Sequence, residues 1–395
     1  MGKAYTTWAL IRAPDMPIVK KDVIVIDNGT GYMKIGFAGQ KKPEYVFSTL
    51  LGMPVVGRRA VGLKGVLQIS RPVDRGRVRD WWKMEVLWRF SLNLLGTRPP
   101  GLKLFLTEPI LSPEEDRERM AEVAFEELRV SGLYLGEQPL LAFYAHGGAT
   151  GLVVDVGHGL TQIAPVWKGF LIPKAVRKMP LGGDDITTFL IHLLMKKGYY
   201  LATPAGAEVV KDIKERMCYV ALDPEEELRG RSPADFTGPV GERGLYRLAD
   251  GTTIRLGEEL FLAPEVLFNP PLMGLDLDPL PKLILDSIMA CDIDQRRDLL
   301  ENIIVCGGTS LLKGLKERLR VELERLLREE GIRTRPRVVM PKLREFYAWM
   351  GASKLASLVE DLGLWVTREE YEEHGASIVN EKLRAPTATA SPTVS

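Results

Sequence analysis

Two short segments of the chain share one pattern. Asp27-Asn28-Gly29-Thr30-Gly31 and Asp155-Val156-Gly157-His158-Gly159 both read D-x-G-x-G, and they lie 128 residues apart. Each follows a β-branched run, VIVID at 23–27 and GLVVDV at 151–156, and each precedes a second apolar run. The local reading is strand, glycine turn, strand, twice over. One such hairpin arises for turn chemistry alone, because Asp and Gly suit tight turns. Two copies in matching context, about one domain apart, imply two similar halves with one hairpin on each wall of a cleft.

The rest of the chain fits that division. At roughly 100–200 residues per domain, 395 residues make two or three domains. Amphipathic stretches at 112–130 and 312–330 predict helices between the strand-like runs, so the class is α/β in layers. In the first, Ser112 is the expected N-cap and Pro113 the first helical residue. In the second, Leu312, Leu315, Leu319, Leu323, Leu326 and Leu327 share one face and Gly331 is the stop. Residues 1–21 read as an N-terminal extension without a secretory h-region, and 385–395 as a disordered tail.

Composition excludes several function classes. Lys+Arg is 53 and Asp+Glu is 52, a net charge of +1, which argues against a chain built for nucleic-acid phosphates. No run of 18 apolar residues predicts a transmembrane helix. Cys218, Cys291 and Cys306 are too far apart for a zinc pattern or a disulfide framework, and fit a reducing, cytoplasmic setting. The chain has only five Asn and five Gln, a depletion of thermolabile amides that suits a hot-living source.

The repeated turns suit a polyphosphate. Glycine lets backbone N–H groups approach an anion, and two facing turns can clamp one. Asp27 and Asp155 end their strands where carboxylates can hold a hydrated Mg²⁺. Lys34, in the strand after the first turn, is placed for a β- or γ-phosphate, although a lysine there is otherwise a solvated strand residue. Gly307-Gly308-Thr309, between the apolar run 301–305 and a helix, makes a third glycine site for a flat ligand or a phosphate. No G-x-x-x-x-G-K-[ST] occurs, which excludes a P-loop.

In this order, VIVIDNGTGYMKIGFAG, LTEPILSP, GLVVDVGHGLTQIAPVWKG, VVKDIKERMCYVALDPEEE, SIMACDIDQRRDLLENIIVCGGTS, YAWMGASKLASL and EEYEEHGASIVNEKL resemble the actin family, archaeal homologues included, over about residues 22–384. The resemblance implies a two-lobed ATPase fold shared with Hsp70 and sugar kinases, with mixed five-stranded sheets flanked by helices. It implies ATP or ADP with Mg²⁺ (or Ca²⁺) in the cleft between lobes. On matching positions, Asp27, Asn28, Gly29, Thr30, Gly31 and Lys34 form the first phosphate loop, and Asp155, Gly157, His158 and Gly159 the second. Lys211, Lys214 and Glu215 match nucleoside contacts, Gly307, Gly308 and Thr309 the adenosine loop, and Gln138 the glutamine that positions attacking water. It also implies a division into 22–48, 66–146 and 345–384 as subdomain 1, 49–65 as subdomain 2, 147–181 and 279–344 as subdomain 3, and 182–278 as subdomain 4.

Four departures carry expectations of their own. His158 replaces a family aspartate, so one carboxylate near the ion is missing. Gln162 replaces the family histidine near the attacking water; it can orient water but is no base. Slow hydrolysis follows, with Gln138, Gln162 and Asp155 as its residues. Glu345 stands where a lysine usually sits near adenine. The segment 50–65 is about 14 residues shorter than the family's loop, which grips the next subunit in filaments. The loop 269–281 (NPPLMGLDLDPLP) keeps its length and resembles the filament's hydrophobic plug. The expected role is a cytoplasmic, filament-forming cytoskeletal ATPase whose partners are further copies of itself and actin-binding regulators. The alternative is a non-polymerising adaptor that binds ATP within a complex.

Overall fold

A computed structural model of the protein describes residues 19–52, 55–56, 69–229, 244–248 and 251–383. Residues 1–18 of the expected extension, the tail from 385, and 53–54 and 57–65 of the shortened segment lie outside the described residues.

Both halves are built on the same five-strand motif. In the first, β1 (Lys20–Asn28), β2 (Tyr32–Ala38) and β3 (Tyr45–Ser48) form an antiparallel meander. β4 (Lys103–Glu108) lies parallel to β1, and β5 (Gly132–Glu137) parallel to β4. In the second, β6 (Gly151–Val156), β7 (Thr161–Trp167) and β8 (Phe170–Leu171) repeat the meander. β9 (Ile303–Cys306) and β10 (Val338–Val339) repeat the parallel pair. Each sheet gains a sixth strand beyond the expected five: Val366–Thr367 beside β5, and Arg177–Met179 beside β7.

The register repeats as well as the order. Asp27 pairs with Lys34 across the first hairpin and Asp155 with Gln162 across the second. Lys34 and Gln162 are therefore counterparts, one per hairpin, facing equivalent aspartates.

Both faces of the central strands are covered, which is why they read as unbroken apolar runs. Ile24 and Ile26 pack with Met33, Trp88 and Phe125 on one side of the first sheet, while Val23 and Val25 pack with Phe105 and Trp349 on the other. Trp88 belongs to α1 (Trp81–Leu94), which Asp80 caps by accepting the Lys83 N–H at 3.0 Å. α2 (Gln138–His146) lies between the sheets. Its Leu141 joins the first sheet's core, while Leu140, Ala142 and Phe143 join Val153 and Ile304 of the second. Beyond it come α3 (Gly183–Lys196), α4 (Pro204–Met217), α5 (Leu315–Glu329) and α6 (Tyr347–Asp361). α6 crosses α2 closely: a Cβ on Gly351 would run into the Leu141 carbonyl.

Local expectations fare unevenly. The stretch 112–130 is helical only from Glu114 to Glu122 and then widens into a π segment, Val123–Glu127. Ser112 does not cap it, because its hydroxyl donates to the Pro109 carbonyl at 2.8 Å. α5 begins at Leu315 rather than 312, with Leu315, Leu319, Leu323 and Leu327 buried. In 269–281 the apolar residues divide. Met273, Leu275 and Leu277 pack on the second half's own core, and Leu272 stays exposed.

Candidate active site

The two D-x-G-x-G turns meet. A Cβ on Gly31 would stand 2.6 Å from the His158 ring, and one on Gly159 would stand 2.9 Å from the Thr30 methyl. Each glycine makes room for a side chain of the opposite hairpin, so the pairing needs glycine at both positions. Above this floor opens a cavity of about 340 Å³ lined from both halves, within the size range of ligand sites.

A hydrogen-bonded line crosses the floor. Lys34 Nζ lies 2.6 Å from Asp27 Oδ2, so this partly buried lysine is an ion-pair member rather than a solvated strand residue. Thr107 Oγ1, at 2.6 Å, and Gln138 Nε2, at 3.1 Å, both donate to Asp27 Oδ1. Gln138 Oε1 accepts from Gln162 Nε2 at 3.3 Å, and the same Gln162 nitrogen is 3.3 Å from Asp155 Oδ2. Gln162 is fixed from behind by the Ile110 N–H, which donates to its Oε1 at 2.7 Å. Two glutamines thus join the two aspartates. They can do so because α2 carries Gln138 from between the sheets.

The aspartates feel each other. Burial, with the Asp27 charge next in weight, pushes the Asp155 carboxyl up to about 6. A cation between them would relieve both penalties. Among the described residues no group of three or more His, Cys, Asp or Glu is set to hold an ion directly. Two carboxylates at the mouth of a polar floor suit an ion that keeps most of its waters.

The second hairpin is neutral at its tip. Burial pushes His158 down to about 4, although Asp184 lies 3.1 Å from its Nε2. Asp184 stays ionised: burial opposes this, but the His158 hydrogen bond and the Arg71 charge hold it below the usual range. The ionised group beside the second hairpin is therefore Asp184, at the start of α3, a residue not predicted from sequence.

The other predicted residues fall into two groups. Lys214, Glu215, Gly307, Gly308 and Thr309 line the cavity with the hairpins. Thr309 donates to the Gly157 carbonyl at 2.7 Å and ties the third glycine site to the second hairpin. Lys214 Nζ donates to Gly183 O at 2.7 Å, and burial pulls its ammonium down to about 8. Asn28 reaches the cavity, but its side chain is committed elsewhere: it donates to Thr107 O and accepts from the Trp88 indole. Lys211 does not line the cavity; its ammonium sits 4.0 Å over the Tyr32 ring, across the cleft.

A family model described as Actin matches residues 19–384 of the 395. The chain belongs to the actin family. Actins are generally nucleotide-binding ATPases that use a divalent metal and self-associate, and the duplicated α/β fold here is consistent with that ATPase architecture. Among the described residues of this actin-family chain, no helix is long and apolar enough to cross a membrane.

Sequence reasoning missed Thr107, Glu137, Arg71 and Arg75. Arg75 Nη2 reaches Asp185 Oδ1 at 2.9 Å, and Arg71 lies 3.5 Å from Asp184, so the segment before α1 is pinned to α3 across the cleft. Thr107 sits one residue past Leu106, the partner of Ile26 in the parallel pairing, and that pairing is what sets it beside Asp27.

Proposed function

We propose that the chain binds ATP or ADP with Mg²⁺ (or Ca²⁺) between its halves, hydrolyses ATP slowly, and assembles head to tail into filaments whose stability follows the bound nucleotide. The observation that carries this reading is the Asp27–Gln138–Gln162–Asp155 line on the floor of a cavity walled by two glycine hairpins. Backbone N–H groups of Thr30 and Gly31 and of His158 and Gly159 would cradle the phosphates, since the Gly29 and Gly157 N–H groups close their own turns, with Lys34 turning from Asp27 to a phosphate oxygen. Asp27 and Asp155 would hold the ion through its waters, and when bound it would offset phosphate charge.

Water is oriented by this chain's amides. Asp27 and Thr107 hold the Gln138 nitrogen, which aims its carbonyl oxygen into the floor, where it now meets Gln162. A glutamine cannot take the proton; Asp155, whose Oδ2 lies 3.3 Å from the Gln162 amide nitrogen, is the neighbouring carboxylate that can. With no imidazole in that place, turnover is slow. Lobe motion would hinge at Gln138–Gly147 and Leu343–Phe346, where Gly147 has φ +78 and Leu343 φ +58.

Head-to-tail contacts between copies generate open helical filaments. The shortened segment at 50–65 and the neutral His158 favour the second reading, a monomeric adaptor that binds ATP. Sedimentation and negative-stain microscopy with ATP, ADP and no nucleotide, read beside phosphate release, separate the two. ATP-dependent polymer with slow release is expected. Tight ATP binding without polymer would leave the adaptor.

A further inference from the structure

One side of the cleft is laced from both halves. On α4, Glu208, Lys211 and Glu215 fall at i, i+3 and i+7, a spacing that puts them on one helical face. Each is met by a group from the first half. Arg71 Nη2 lies 3.9 Å from Glu208 Oε1, and its Nη1 lies 3.5 Å from Asp184 of α3. The Lys211 ammonium sits 4.0 Å over the Tyr32 ring, and the Tyr32 hydroxyl donates to Glu215 Oε1 at 3.4 Å. Tyr32 and Glu215 both line the cavity, so this seam runs along its edge. Lys211 is 5% exposed, so its charge is held out of water and the ring is what it meets. A cation over a ring gains strength when desolvated, whereas half-exposed ion pairs at these distances are weak. The Tyr32–Lys211 contact is therefore the strongest part of the seam.

We propose that this seam is a gate: nucleotide enters and leaves the cleft when Tyr32 parts from α4, and Lys211 fastens the gate instead of contacting the nucleoside. The inference rests on the cleft being a nucleotide site and concerns only the rate of exchange. Every contact in the seam joins one protein group to another, so it favours the closed cleft whether or not nucleotide is bound. Loosening it shifts the balance between open and closed forms alike in both states. Entry and exit then quicken together, and the affinity stays nearly the same. A group that touches the nucleoside behaves differently, because its loss speeds exit and leaves entry alone.

Stopped-flow fluorescence of the full chain with the Mg²⁺ complex of etheno-ATP tests this, measuring association and then release into excess unlabelled ATP. The variants are Tyr32→Leu, Lys211→Met and Tyr32→Phe, with thermal melts to show that each is folded. Tyr32→Leu and Lys211→Met break the same contact from opposite walls, so one folded variant of the two decides the matter. Each should raise association and release together, by about tenfold for a desolvated cation–π contact. Tyr32→Phe keeps the ring and should stay close to wild type. Rates unchanged in Tyr32→Leu and Lys211→Met overturn the gate. Release that quickens while association does not also overturns it, and returns Lys211 to the nucleoside. Wild-type protein that binds no Mg·etheno-ATP and gains no melting temperature from Mg·ATP overturns the gate together with the reading of the cleft itself.

Discussion

At the scale of single residues, the proposed slow turnover rests on His158 at a hairpin tip and on Gln162 in β7. His158 is neutral at physiological pH because burial lowers it to about 4, and Gln162, held by the Ile110 N–H and by Gln138, is an amide that cannot take a proton. His158→Asp should restore a negative charge beside the ion, and Gln162→His a base beside the water. Base catalysis contributes ~10²–10⁴-fold where it is well placed, so an increase of roughly tenfold or more in phosphate release is expected from the second change. Single-turnover phosphate release measures it; unchanged rates in both variants would remove these residues from the account of slow hydrolysis. The aspartates, glycines and Lys34 were legible in the sequence, because turn chemistry is local and appears twice. Thr107 was not, since it reaches Asp27 across 80 positions through a parallel pairing that no short pattern announces. Ser112 misled for the opposite reason: its local signal for a cap is good, but the nearby Pro109 carbonyl takes the hydroxyl.

At the scale of elements, α2 joins the halves, and the residue before it is a buried acid. Glu137 accepts the Leu111 N–H at 2.6 Å through Oε1, while its Oε2 has no partner among the described residues. Burial pushes its carboxyl up to about 7. Its folded value thus lies above the unfolded one near 4.5, so the folded state holds the extra proton between them. The stability this lends is complete below about pH 4.5 and is lost as pH rises through about 7, with a slope of up to ~1.4 kcal/mol per pH unit. Asp155 adds a slope of the same sign toward about 6. Glu137→Gln keeps the acceptor and removes the titration. Thermal melts of nucleotide-free protein should show wild type falling behind the variant by a few degrees between pH 5 and 8, and matching it near pH 4.5. Parallel curves would show that Glu137 does not carry this slope. The strands of this region were legible as apolar runs with glycine ends. The bounds of its helices were less so, because the π widening at Val123–Glu127 and the late start of α5 are set by packing and not by the capping pattern.

At the scale of the molecule, the halves are tied across the cleft by Arg71, Arg75 and the Tyr32–Lys211 stack, so a ligand held by both hairpins would fix their relative position and with it any surface spanning them. Assembly then depends on what is left uncovered. The 269–281 loop divides its apolar residues, with Met273, Leu275 and Leu277 anchoring it to its own core and Leu272 exposed at 42%. An anchored loop with one free leucine is a preformed contact that loses little entropy on docking. Fully burying a leucine is worth ~1.5–3 kcal/mol, so Leu272→Asp should raise the critical concentration for pelleting by at least tenfold. Because Leu272 lies outside the cavity lining, the variant should keep its nucleotide-induced gain in melting temperature. Pelleting that is indifferent to Leu272→Asp would place the subunit contact elsewhere. Loss of both pelleting and the nucleotide effect would mean that Leu272, like Met273, Leu275 and Leu277, supports the fold of its own half.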